Sequence, residues 1–315
     1  MRYLDFTVLF LLLICFSLSN GYIYEIKVLK KWDKETDNYC LIIGCSDFHD
    51  KMHPSNTAQR AYLTGLLSTC HSSMKVILED LSSPNSSGSY GCKQFWLNSH
   101  RGILASLAKE CSAQGLDVEN IEYRYSRVIA LGGLLTQLHE SAYKSSPACA
   151  IRIGCLVDEV DQMIKKIETY CDNAGLNYWY KESCNRIKKN MRALHLESSK
   201  ELSSAAYFEK EAPRNRLIFL KKLLTFDSNL LDCALVHSII NTSNKSVIVA
   251  LAGGTHIDRA FEKLVTQGYT QIYATPVSFR HDYDIANALG SPILPGGYCI
   301  KPAAIDLHIL EEYIK

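Results

Sequence analysis

One stretch constrains the fold more than any other. Residues 246–269, SVIVALAGGTHIDRAFEKLVTQGY, join an apolar strand to an amphipathic helix through two glycines. Val247, Ile248, Val249, Ala250 and Leu251 form the β-branched, uninterrupted run expected of a parallel strand covered on both faces. Gly253 and Gly254 permit positive φ and close backbone approach, and Thr255 is the candidate N-cap of the following helix. His256 is therefore expected at the carboxyl end of a strand, where open α/β sheets bind their ligands. A histidine that satisfies loop backbone groups is the plainer alternative.

Elsewhere the chain alternates strand and helix at both ends. Strands are expected at 22–27, 39–44, 75–78, 120–125 and 271–274, and helices at 56–67, 96–111, 258–266 and 305–314. After the second of these strands SDFHDKMHP reads as a polar loop, and after the third residues 82–89, SSPNSSGS, read as another. From 126 to 243 the pattern is helical throughout, in segments 128–143, 157–171, 180–192, 200–210 and 214–240, with Pro213 suited to a first turn. The expectation is an α/β fold whose mainly parallel central sheet is assembled from both ends of the chain, with a long helical insertion at about 126–243. A composition of 47% hydrophobic and 21% charged residues supplies ample core for one such domain over 22–315.

The first 21 residues stand apart. Arg2 precedes the apolar run 6–18, FTVLFLLLICFSL, which is followed by Ser19, Asn20 and Gly21. That is the layout of a secretory signal peptide, with an uncleaved anchor as the alternative and the only expected membrane attachment. Export leads to a secreted, periplasmic or envelope location. It also favours disulfides, for which Cys40 with Cys45, or Cys149 with Cys155, are near enough in sequence to be tried. Of the 12 cysteines Cys15 lies in the leader, so 11 remain and one thiol stays unpaired. Asn85, Asn241 and Asn244 each begin a glycosylation sequon. A formal net charge of +1 implies no pull toward nucleic acid.

Polar residues with chemistry collect after the strands: His49 after one, Glu79 and Asp80 after another, His256 after a third. Parallel strands bring such ends to one rim. Two imidazoles and a carboxylate are the ligand set of a divalent metal site that keeps a position open for water. His281, Asp282 and Asp284 look metal-like by composition, but neighbours on a loop are usually solvated. No GxSxG elbow is present, which argues against a serine hydrolase, and Gly132 with Gly133 lacks the context of a phosphate loop.

The order of these motifs resembles the superfamily that contains the TraB and PrgY proteins, the TIKI metalloproteases, ChaN-like proteins and erythromycin esterase-like hydrolases. SDFHD (Ser46 to Asp50), with His53 and Gln59 beyond it, is similar to the ChaN-like GExHD element. VILED supplies the strand-end Glu79, and Arg214 with Asn215 resembles the RN pair of the TraB and TIKI branch. Gly253 to His256 with Gly268 and Tyr269 resembles its final strand, GxxH turn and helix ending in Gly-Tyr. Ser46 and Asp47 depart from the pattern, standing where the family has glycine and usually glutamate. The shorter aspartate sets its carboxylate about one methylene further back.

The resemblance implies metal-dependent hydrolysis, of peptides in the TIKI case. His49, Glu79 and His256 would hold a divalent ion, Asp47 or Asp80 would act as general base, Arg214 would hold substrate or stabilise an oxyanion, and Asn215, Gly253 and Gly254 would contact a peptide or small-molecule substrate. A helix-start arginine paired to a structural carboxylate such as Glu122 is the bland reading of Arg214. The ChaN-like branch implies the alternative, a non-catalytic envelope protein that binds haem, iron or a protein partner in the same crevice.

Overall fold

The computed structural model describes residues 22–33, 38–48, 56–68, 73–79, 107–122, 151–174, 199–210, 213–242, 244–275 and 307–314, with 181, 185, 188 and 189. A six-stranded mixed sheet in the order β4-β3-β5-β2-β1-β6 forms its centre. The strands are β1 (Tyr22–Asp33), β2 (Asn38–Phe48), β3 (Met74–Leu78), β4 (Asp117–Asn120), β5 (Val247–Gly253) and β6 (Thr270–Ala274). Both ends of the chain contribute, as the alternation predicted.

Parallel pairing holds between β2 and β5, β3 and β5, and β3 and β4. The expectation of a mainly parallel sheet needs one correction, since β1 runs antiparallel to both β2 and β6. Too few residues separate Asp33 from Asn38 for a crossover, so these two strands can only pair antiparallel. Both are longer than predicted. Ser46, Asp47 and Phe48 lie within β2 instead of a loop, held by pairing with β1 and with Ala252 and Gly253 of β5. Of the strand predicted at 120–125, Asn120 ends β4 (Asp117–Asn120), Ile121 and Glu122 follow it with Glu122 buried, and 123–125 lie outside the described residues.

Side chains alternate between two covered faces, as the period of a strand requires. One face carries Ile26, Val28, Ile43, Cys45, Val76, Leu78, Val249 and Leu251 into a cluster with Leu63 and Leu67 of α1 (Asn56–Ser68) and Leu107 and Cys111 of α2 (Leu107–Ala113). Opposite it, Gly44 of β2 lies under Phe261 and Ile257 of α6 (Gly254–Thr266). Against α6 packs α5 (Pro213–Ile240), which in turn meets α3 (Ile153–Ala174).

The helical segments between β4 and β5 that the structure describes are α3, α4 (Ser204–Lys210) and α5, with an isolated antiparallel bridge between Arg152 and Ser203. A separate insertion running to 243 is not what α5 forms. Leu230, Leu231, Cys233, Ala234, Leu235, Val236 and Ile239 are all buried, so its second half is a layer of the domain itself. The helix predicted at 128–143 lies outside the described residues. At the carboxyl end, the expected helix 305–314 is a 3-10 turn (Leu307–Leu310) followed by α7 (Glu311–Ile314).

Gln59 links α1 to the edge of the sheet. Its Oε1 accepts from Ile23 N at 2.9 Å and its Nε2 donates to Ile23 O at 3.1 Å, so one side chain supplies both backbone bonds that a further strand would give. This is a structural role for a residue that the motif comparison had set beside the site. Gln59→Ala strands two buried backbone groups and is expected to cost about 2 kcal/mol, read as a lower urea midpoint with an unchanged slope.

Candidate functional site

Strands β3, β5 and β2 end side by side, and their carboxyl edge carries most of the predicted residues that the structure describes. Asp47 stands opposite Gly253 in the β2–β5 register, and Leu78 opposite Leu251, which sets Glu79 beside the end of β5. Glu79 is fastened there twice. Its backbone N donates to Leu251 O at 2.9 Å, and its Oε2 accepts from Gly253 N at 2.9 Å. Both carboxylates are deeply buried, Asp47 at 3% and Glu79 at 4% exposure. Buried Glu122 follows β4 on the same edge, where Ile121 N continues the ladder to Leu78 O.

The turn into α6 differs from its predicted form. Gly253 is the N-cap, with φ −56° and ψ 140° and no side-chain capping bond, so Thr255 caps nothing and no positive φ is needed. Gly254 is required for space, whereas a Cβ on Gly253 would make only ordinary contacts. A Cβ on Gly254 would collide with Tyr24 Oη, while one on Gly253 would face His256 Cδ2 at 3.5 Å and Glu79 Oε2 at 3.6 Å. His256 therefore sits in the first turn of α6, and its ring edge and the Glu79 carboxylate converge over the open face of Gly253.

Behind the histidine lies a residue that motif reading missed. Asp232 of α5 is fully buried, and its Oδ1 accepts from His256 Nδ1 at 2.6 Å. Arg259, one turn further along α6, forms an ion pair with Oδ2 at 2.9 Å. A signal was present in the sequence, since Asp232 is the one charged residue in the apolar run LLDCALV, and a buried carboxylate demands a partner.

A second polar cluster underlies the start of α6. Ser46 Oγ donates to Glu25 Oε2 at 3.0 Å, and Tyr24 is hydrogen-bonded to Ser46. Lys27 pairs with Glu25 at 3.3 Å and with Asp258 of α6. Burial, reinforced by Glu25 and Asp258, holds the Tyr24 hydroxyl well above its ordinary range. Burial likewise raises the Glu25 carboxyl, against the opposing pull of Lys27. For Lys27 burial works downward, but Asp258 and Glu25 outweigh it and the ammonium is held above its usual value.

The structure thus brings together Glu79, Gly253, Gly254, His256 and Asp47. Asn215 is exposed in the first turn of α5. At 1.5 Å per residue it lies roughly 25 Å along the helix from Asp232, so α5 does not carry it or the neighbouring position 214 to the histidine. The predicted positions His49, Asp80 and His281 lie outside the described residues, as does the side chain of Arg214. Among the described residues no three His, Cys, Asp or Glu side chains form a metal-binding group. Cys40, Cys45 and Cys155 are in no disulfide, which corrects both pairings tried from the sequence. Cys40 and Cys45 are five apart in one strand and so project from opposite faces. No helix among the described residues is long and apolar enough to cross a membrane. No family model, curated protein or solved structure matches the chain.

Proposed function

We propose that this carboxyl edge is the active site of an exported, metal-dependent hydrolase of the TraB and TIKI type that acts on peptides. The observation that carries the reading is the convergence of His256 and Glu79 over Gly253, with the histidine backed by a buried carboxylate. A carboxylate on the far nitrogen is the usual support of a metal-ligating imidazole, because it fixes the ring and raises its basicity. The donor types suit a divalent ion, with His256 offering Nε2 and Glu79 a carboxylate, and His49 as the third donor that the motif supplies. When bound, such an ion supplies Lewis-acid polarisation of the scissile carbonyl and acidifies water.

The chain's own groups divide the remaining work. Asp47, across from Gly253 in the strand register, would accept a proton from the attacking water at a carboxylate oxygen. Gly253, lacking a side chain, leaves room for substrate between His256 and Glu79. The three carboxylates Asp47, Glu79 and Asp232 around this turn favour a cation over a haem face, for which aromatic walls are expected.

The test is metal analysis of the purified chain together with a panel of peptides and esters. Bound zinc, manganese or iron near one equivalent, with hydrolysis lost on chelation, supports the reading; a metal-free chain that refuses all three ions sinks it. His256→Ala is expected to abolish that binding and reduce turnover at least 100-fold. It also removes a hydrogen bond to a buried carboxylate, so about 2 kcal/mol of stability goes with it. Arg259 still compensates Asp232, and circular dichroism should show the fold standing.

A further inference from the structure

We infer that Asp232 and Arg259 act together as positioning residues that decide which nitrogen of His256 carries its proton, leaving Nε2 as the open electron pair of the site. The geometry allows one solution. Asp232 Oδ1, 2.6 Å from Nδ1, is an acceptor only, so Nδ1 must be the protonated nitrogen. Asp232 is fully buried between Leu231 and Cys233, themselves fully buried, so no solvent rearrangement relieves that demand.

Arg259 makes the choice depend on chemistry at position 232 instead of on shape. Its Nε lies 2.9 Å from Oδ2 as an ion pair without hydrogen-bond alignment, and a cation with donors and no acceptor favours an oxygen over an amide group at that position. Aspartate presents one oxygen to each neighbour, a hydrogen bond to His256 and a charge contact to Arg259. Asparagine, the same size, has one oxygen and one amide. Arg259 would claim the oxygen, the amide would turn toward His256, and Nδ1 would have to accept. The ring proton then moves from Nδ1 to Nε2, with no change in total charge on the imidazole, and the electron pair aimed into the site is lost. Without Arg259 the asparagine is free to turn its oxygen to Nδ1, and the original tautomer returns. The tautomer assignment stands on this geometry alone; its consequence for a metal ion rests on the reading given above.

The experiment is nitrogen NMR of the full chain labelled on histidine, recorded at the alkaline plateau of the ring shifts, with His256 assigned by its loss in His256→Ala. The parent should show Nδ1 protonated and Nε2 bare. Asp232→Asn should exchange the two, and Asp232→Asn combined with Arg259→Ala should restore the parent pattern. Zinc binding by calorimetry should fall 10- to 100-fold in the single variant and recover in the double. A parent ring protonated on Nε2, or a folded Asp232→Asn with the parent pattern, overturns the inference. Should Asp232→Asn fail to fold, the parent ring decides alone, supporting the inference if Nδ1 carries the proton and overturning it otherwise. If the tautomers exchange as described while no protein binds zinc, the inference stands and the metal reading falls.

Discussion

Gly44→Ala is expected to destabilise the protein by about 3 kcal/mol, the upper end of what overpacking a core costs. A Cβ at this position would lie 2.5 Å from Phe261 Cζ, 2.8 Å from Phe261 Cε2 and 2.9 Å from Ile257 Cγ2. Gly44 is in the middle of β2, paired to Lys27 on one side and Ala250 on the other, so the strand cannot retreat. Both opposing residues are buried in α6, so a shift of either disturbs packed neighbours. Relief requires α6 to lift from the sheet, which moves His256 with it. Phe261→Leu shortens the opposing side chain and should suppress part of the damage. In urea midpoints of the parent, both single variants and the double, the double is expected to cost at least 1 kcal/mol less than the two singles together. Simple additivity would show that Gly44 is not packed against that ring.

The same contact explains what the sequence made legible. The strands at 74–78, 247–253 and 270–274 and the helix after Gly253 follow from apolar runs and their period, which are local properties. The length of β2 does not. Ser46 and Asp47 read as loop residues because their compensation is remote: Ser46 bonds Glu25 on β1, and Asp47 lies opposite Gly253, some two hundred positions on. The direction of β1 was within reach, since so short a connection before the next strand fixes an antiparallel pair once the strand ends are placed correctly.

At the site, motif order located Glu79 and His256 on the same edge because both follow buried strands whose direction the pattern gives. Of the two reasons it gave for the glycines, positive φ fails and close approach holds at Gly254. Gly254 is needed because Tyr24, at the start of the chain's first strand, occupies the volume of its side chain, a fact no window around residue 254 contains. Asp232 escaped for a related reason. It belongs to α5, whose apolar pattern marks it as buried but cannot name the helix it faces, and only the packing of α5 on α6 brings it to His256 and Arg259.

Between pH 9 and 12 the protein is expected to lose roughly 4 kcal/mol of stability through Cys45 alone. Cys45 is fully buried in the apolar cluster under α1, and burial pushes its thiol from 9.0 up to about 12. In the unfolded chain the thiol ionises near its ordinary value, whereas in the folded chain it stays protonated until far higher pH. A pKa raised by folding gives a contribution that is complete below the unfolded value and is lost as pH climbs through the folded one, so the loss falls in this alkaline window. Burial of Cys111, pushed up to about 11, and of Tyr269, pushed up to about 12, acts with the same sign. Lys27, held above its usual value by Asp258 and Glu25, gives up its pairing over the same range. Urea midpoints measured under reducing conditions from pH 8 to 11.5 should therefore fall steeply in the parent. Cys45→Ala removes the titrating group and leaves a small cavity, at a pH-independent cost of about 1 kcal/mol. Its curve should start lower, descend less steeply and cross the parent's at about pH 9.6. Parallel curves would mean that the Cys45 thiol ionises as readily in the folded chain as in the unfolded one, and that the sheet face beneath α1 admits water.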